Sequence, residues 1–138
     1  MAVSAIWSAR SGITAAVAQI NATSHNLANL NTKKPTSGEA FRGESVILEE
    51  EPGGGVRIAG IAPAGTAQGI VVEEATHPDA DERGRVRAPD IDLAGELVTA
   101  HFAERMVEAN VATARRAFDT YRDLLAMTNT DRERLTGG

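Results

Sequence analysis

Residues 3–31 read VSAIWSARSGITAAVAQINATSHNLANLN, and the placement of their apolar side chains decides the fold. The stretch has no proline and a single glycine, Gly12, so nothing inside it stops a helix. Ile6, Ile13, Ile20 and Leu27 recur every seven residues. Ala9, Ala16, Val17, Thr23 and Leu30 lie beside them on the same stripe. A seven-residue apolar repeat keeps one face of a helix turned toward a partner helix. The segment is therefore expected to be an amphipathic helix about 40 Å long at 1.5 Å per residue. Arg10, Ser11, Gln19, Asn21 and His25 occupy the opposite side. Asn26, Asn29 and Asn31 weaken the helix toward its end, because amide side chains compete with the backbone ladder. Lys33-Lys34-Pro35 then stops it.

A second helical pattern closes the chain. Leu93, Leu97, Ala100, Val107, Val111, Ala114, Phe118, Tyr121 and Leu125 alternate spacings of three and four, with one double step across Glu104. The pattern predicts a helix over about residues 92–128 that frays before Gly137-Gly138. Asp90 or Asp92 can cap its start, and Glu96 sits in the first turns, where the helix dipole favours an acid. Between the helices the period shortens. Val46-Ile47-Leu48, Val56 to Ile61, Gly69 to Val72 and Gly84 to Arg87 read as three or four short strands. Gly53-Gly54-Gly55 and Pro63-Ala64-Gly65 mark the turns between them. The expected architecture is α+β, with two long terminal α-helices paired as an antiparallel coiled coil around a small antiparallel β-hairpin insert. Residues 1–32 form the first helix, 33–91 the β-rich insert and linker, and 92–138 the second helix with a short tail.

Composition narrows the function. The chain has 138 residues but only three Phe, one Tyr and one Trp, and Ala and Gly supply much of its small-residue count. Helices built on Ala pack closely yet bury little area each, so part of the core is expected on other copies or partners. Residues 1–38 carry a net charge of +3, residues 39–89 of −5 and residues 90–138 of −3. That distribution lacks the concentrated basic face that nucleic acid requires. It would favour head-to-tail contact between copies, modestly and in a salt-sensitive way. The absence of cysteine removes thiol catalysis, Cys-based zinc sites and disulfides together. No stretch reaches ~18 uninterrupted apolar residues, so no transmembrane helix is expected. Arg10 and Ser11 interrupt the N-terminal apolar run, which lacks a basic n-region, so no cleaved signal peptide is expected.

No constellation points to catalysis, a metal or a cofactor. His25, His77 and His101 are far apart and outside any metal-ligand spacing. A Gly-x-Ser-x-Gly elbow is missing, and the glycine-rich stretch from Gly53 to Gly65 lacks the Lys-Ser or Lys-Thr of a phosphate loop. Asp79 to Asp90 copies the spacing of a calcium-binding EF-hand loop, but Arg83 puts a cation where an oxygen ligand is needed. An acidic turn is the better reading. Asn21-Ala22-Thr23 matches a glycosylation sequon yet lies inside the helix. The asparagines from Asn26 to Asn31 support two readings of about equal weight. They hydrogen-bond to neighbouring chains, or they fray and cap a helix end.

The terminal segments also carry a resemblance. Ser24-His25-Asn26-Leu27-Ala28-Asn29-Leu30-Asn31-Thr32 resembles the N-terminal signature of flagellar rod and hook proteins, in which Ser-x-Asn-Leu-Ala-Asn ends the first helix. Phe41-Arg42 fits the aromatic-basic pair that follows. Asp92-x-x-x-Glu96-Leu97-Val98, continuing to Ala103, Arg105 and Glu108-Ala109-Asn110, resembles the matching C-terminal signature. Gly84-x-Val86-x-x-Pro89-Asp90-Ile91-Asp92 is similar to a segment of one short proximal-rod member, which the other short member lacks. The chain departs from the pattern at Thr32 to Gly38, where the usual turn is shorter, and at Arg85 and Val107, where aromatics are usual.

The resemblance implies a non-enzymatic subunit of the proximal rod, exported through the flagellar type III apparatus. Its partners would be other copies, other rod proteins, the basal-body ring and the export apparatus, with no nucleic acid and no membrane insertion. Ile6, Ile13, Ile20 and Leu27 are expected at the interface with Leu97, Val107, Val111, Phe118 and Leu125. Asn26, Asn29 and Asn110 would set polar register there. Two other classes have to be weighed. A free-standing coiled-coil adaptor would share the seams but form a discrete oligomer. A hydrolase would need a convergent pocket of titratable groups, which the sequence does not assemble.

Overall fold

A computed structural model describes residues 2–136, with side chains through Asn129. The order is α1 (Ala2–Ala28), β1 (Gly43–Glu50), β2 (Val56–Ala64), β3 (Ile70–Glu73), β4 (Arg85–Ala88) and α2 (Leu93–Thr136). The class is α+β, with the two terminal helices packed on each other and two small antiparallel sheets between them in sequence. The tail expected at Gly137-Gly138 lies outside the described residues.

Helix α1 stops before the Lys33-Lys34-Pro35 breaker because Asn29 caps it. The Asn29 Nδ2 donates to the His25 carbonyl at 3.0 Å, and the Thr32 hydroxyl donates to Asn29 Oδ1 at 3.1 Å. Helix α2 begins at an Asp92 cap, whose Oδ1 accepts the Ala94 N–H at 3.1 Å. It extends eight residues past the expected end at 128, since neither proline nor glycine intervenes before Gly137.

Two contacts fix the direction and register of the helices. Gly12 of α1 faces Asn110 of α2, and Asn26 faces Glu96. Each pair of positions is fourteen residues apart and their order is reversed, so the helices are antiparallel and stay in step. The α2 positions turned toward α1 alternate four and three: Glu96, Ala100, Ala103, Val107, Asn110, Ala114, Ala117. Opposite them lie Ala9, Gly12, Ala16 and Thr23, all buried. The centre of the seam is thus made of small side chains, and the backbones approach closely. Extrapolated at equal rise, Ala2 lies opposite about residue 120, so the last turns of α2 project past α1.

The hairpin β1–β2 lies against α1. Its register shifts between Ile47 and Leu48, which pair with Gly60 and Ile58, leaving Ala59 as a bulge. The tip, Gly53-Gly54-Gly55, has φ of 105°, 98° and 100°. Side chains there would be strained, and a Cβ on Gly55 would collide with the Ser11 hydroxyl. That closeness lets Ser11 Oγ accept the Val56 N–H at 3.1 Å, tying the tip to the helix. The second hairpin, β3–β4, gains a bridge from Lys34, which exchanges backbone hydrogen bonds with Arg87 at 2.9 and 2.8 Å. Val86, fully buried on β4, is the largest apolar side chain with that degree of burial.

The Gly12 site tests the close approach. A Cβ on Gly12 would lie 2.7 Å from the Asn110 side-chain amide. Gly12→Leu should lower stability by about 1–3 kcal/mol through overpacking. Combining it with Asn110→Ala should recover part of that loss in urea melts. Strictly additive effects would show that the two residues do not share the contact.

Candidate functional site

The seam has a polar lock at the end where α1 meets the insert. Asn26 is 1% exposed and, with Val86, is among the largest fully buried side chains of the described residues. Its Nδ2 donates to the Glu96 carboxylate at 2.8 Å and to the Glu44 carbonyl at 3.0 Å. Its Oδ1 accepts the Glu44 N–H at 2.6 Å. One amide therefore joins α1, β1 and the first turns of α2. Gly43 permits the approach, since a Cβ there would lie 3.1 Å from Asn26 Oδ1. The Glu44 side chain turns outward to His25, 3.1 Å away, and the His25 ring meets Phe41 edge-on at 5.5 Å.

The positions expected at the interface separate into groups. Ile6, Ile13, Ile20 and Leu27 are half-buried and flank the small-residue centre. Val107, Asn110 and Val111 are half-buried on the facing side of α2. Asn110 donates Nδ2 to the Met106 carbonyl of its own helix at 2.8 Å. Asn29 caps α1. Leu97, Phe118 and Leu125 stand 54%, 57% and 49% exposed. Gly12, Glu96, Glu44, Ala103 and Ala117 complete the seam and were not singled out as interface residues from sequence. The α2 members carried a signal: Glu96, Ala103, Asn110 and Ala117 are spaced by seven.

In the acidic turn before β4, the Asp81 carboxylate is engaged by protein partners. Asp81 accepts the backbone N–H groups of Arg83 and Arg85 at 2.9 and 3.0 Å, and the Arg85 guanidinium at 3.1 Å. The Thr36 hydroxyl donates to it at 3.2 Å. These bonds, led by the Arg85 N–H, hold its carboxyl below the usual range despite some desolvation. Glu74 is likewise lowered, chiefly by its hydrogen bond from Lys33. No group of three His, Cys, Asp or Glu among the described residues is placed to hold a metal. None of the described helices is long and apolar enough to cross a membrane.

No protein-family model matches the chain. Curated relatives do. The flagellar basal-body rod protein FlgC of Escherichia coli O6:H1 is 32% identical over 108 residues, 75% of this chain and 80% of that protein. The chain belongs to the FlgC family of flagellar basal-body rod proteins. FlgC of Salmonella typhimurium is 31% identical over the same share, and FlgC of Borreliella burgdorferi is 28% identical across 90% of this chain and 95% of its own. As a FlgC family member the chain is a structural protein of the basal-body rod. The Asn26 lock lies within the signature that carried the family resemblance.

Asn26→Ala should cost about 1–3 kcal/mol, because Glu96 and the Glu44 backbone lose their partner. Thermal melts of Asn26→Ala, Glu96→Ala and the double variant would measure the coupling. Independent effects would remove the lock.

The paired carboxylates also predict a pH response. Both are lowered in the folded chain, so their stabilisation is complete above the ordinary values of 4.5 for Glu74 and 3.8 for Asp81. It is lost as pH falls through the depressed folded values. Amide protection in β3–β4, corrected for the intrinsic pH dependence of exchange, should therefore fall on acidification below that range, and Asp81→Asn should flatten the dependence.

Proposed function

We propose that the chain is a subunit of the proximal rod that assembles helically with copies of itself and with other rod proteins. In this reading α1 and α2 pair as an antiparallel coiled coil, and torque passes through the packed helices to the distal rod and hook. The basal-body ring and the export apparatus are its further partners. The rod lies in the periplasm, and the subunit reaches it by type III export. The interface is built on Ile6, Ile13, Ile20, Leu27, Val107 and Val111, with Asn26, Asn29 and Asn110 giving polar register. Leu97, Phe118 and Leu125 extend it outward.

The observation that carries this reading is an inverted distribution of apolar size. The buried core of the helix pair is Ala9, Ala15, Ala16, Ala22, Ala103 and Ala117. The large apolar side chains of α2, from Leu97 to Met127, are mainly on its surface. A monomer gains little from that arrangement, whereas neighbours that cover Phe102, Phe118 or Leu124 each gain about 1.5–3 kcal/mol of apolar burial.

Leu27→Asp, on the flank of the seam, should abolish swimming and rod assembly while the protein is still made. Motility in soft agar and immunodetection in isolated basal bodies would measure it. Normal swimming would refute the role given to this seam.

A further inference from the structure

The end of α2 supplies a surface whose occupant can be argued. The stripe that closes on α1 continues without a break past Ala117 to Tyr121, Leu124 and Thr128. Its character changes at that point. Where α1 lies opposite, the stripe is mostly small; where α1 has ended, it becomes large, and Tyr121 and Leu124 are 45% and 54% exposed. The projecting end is thus the continuation of an established helix–helix interface, about 24 Å long for residues 121–136. Asp119 and Asp123 share one arginine, Arg122, at 3.3 and 3.7 Å, which leaves one negative charge in excess.

A groove of ≈ 430 Å³ between α1 and the β1–β2 hairpin has the complementary chemistry. Trp7, Thr14, Val56 and Ile58 line it, and Trp7 is 59% exposed. Arg10 lies 5.2 Å from the Trp7 ring centroid and has no ion pair among the described residues. Arg57 on the far wall is paired with Glu49, and Glu51 stands at the hairpin tip. Helix α1 itself has no acidic residue. The groove is open along its length, a shape suited to side chains of a helix laid across it. A second apolar groove, lined by Leu97, Val98, His101, Phe102 and Arg105, has its basic side chains already engaged, Arg105 with Glu108 at 2.8 Å and His101 beside Glu104 at 3.8 Å. It therefore offers Asp123 no unpaired cation, whereas Arg10 is one among the described residues.

We infer that the projecting end of α2 from a second copy seats in the α1–hairpin groove, with Tyr121 and Leu124 against Trp7 and Ile58 and Asp123 facing Arg10. Donor and acceptor are different surfaces, so the contact is heterologous and one copy can engage two neighbours. The inference rests on reading the chain as a self-assembling rod subunit, and it names the surfaces that would meet.

Trp7 is the only tryptophan, which makes the full-length chain its own reporter. Its emission should shift to the blue as concentration rises toward the solubility limit. Leu124→Asp should keep the emission of an exposed indole at every concentration. Adding excess Trp7→Phe chain, silent but with an intact α2 end, should then shift the emission of the Leu124→Asp chain. Arg10→Asp should lose the shift and regain it when mixed with an Asp123→Arg chain; this second pair stands even if Leu124→Asp alters folding. Emission independent of concentration, or no rescue in either mixture, overturns the inference. A different rod protein as the true occupant gives that same silent result. Detection of the wild-type chain in isolated basal bodies alongside silent emission would reject this contact and leave the rod assignment standing.

Discussion

The Asn26 amide is the constraint on which the placement of the other elements depends. It has two donor hydrogens and one carbonyl oxygen, and the structure uses all of them on partners from two other elements. A buried amide left half-satisfied would destabilise the fold, so any slip of α2 along α1 or of β1 away from α1 carries that penalty. The clamp also sets the reach of the hairpin. With Gly43 and Glu44 fixed at Asn26, β1 must run back along α1, and its tip arrives at Ser8 and Ser11. Gly54 and Gly55 then let the backbone close on the helix, where a Cβ on Gly55 would not fit. Polar register at one end and glycine tolerance at the other hold the hairpin against the helix without a large apolar core.

Close approach between the helices has a further consequence. Small side chains at Ala9, Gly12, Ala16, Ala103 and Ala117 bring the backbones together, but each methyl removed from water contributes only about 0.8 kcal/mol. The larger apolar residues are displaced to the flanks and to the outer surface. A chain built this way places its strongest hydrophobic groups where other subunits can reach them. Assembly and folding then draw on the same helices, and the seam within one subunit need only be good enough to present the surfaces between subunits.

Much of this was legible in the sequence. Seven-residue spacing identified α1, alternating steps of three and four identified α2, the change of period located the strands, and the asparagine-bearing signatures pointed to the family. The phase of the seam was less accessible. Ile6, Ile13, Ile20 and Leu27 are the most hydrophobic residues on the α1 stripe, and hydrophobicity alone makes them its centre. The structure centres the seam three residues on, at Ala9, Ala16 and Thr23, because side-chain volume governs how near two helices can come. Periodicity gives the face of a helix but not which residues of a wide apolar face lie at closest approach. Glu96 was read as a dipole-compatible acid in a first turn, and nothing local marks it as the partner of an amide seventy residues earlier. Asn29 had two sequence readings, and its capping bond to His25 is the one formed within the chain.

The same limit of local pattern explains the length of α2. Its last turns lie beyond the start of α1, so the seam period that marks the rest of the helix runs out near Leu125, and the sequence suggested fraying. The backbone nonetheless continues as helix to Thr136. An unsupported helical end in water is marginal, since propagation contributes little where no apolar face is buried. That such an end carries Tyr121, Leu124, Leu125 and Met127 rather than a solvated charge pattern is therefore informative about what lies beyond the monomer. Exposed large side chains on a projecting helix are a liability for a protein that stays alone, and a docking element for one that does not. For a member of a rod family, the second condition is the relevant one.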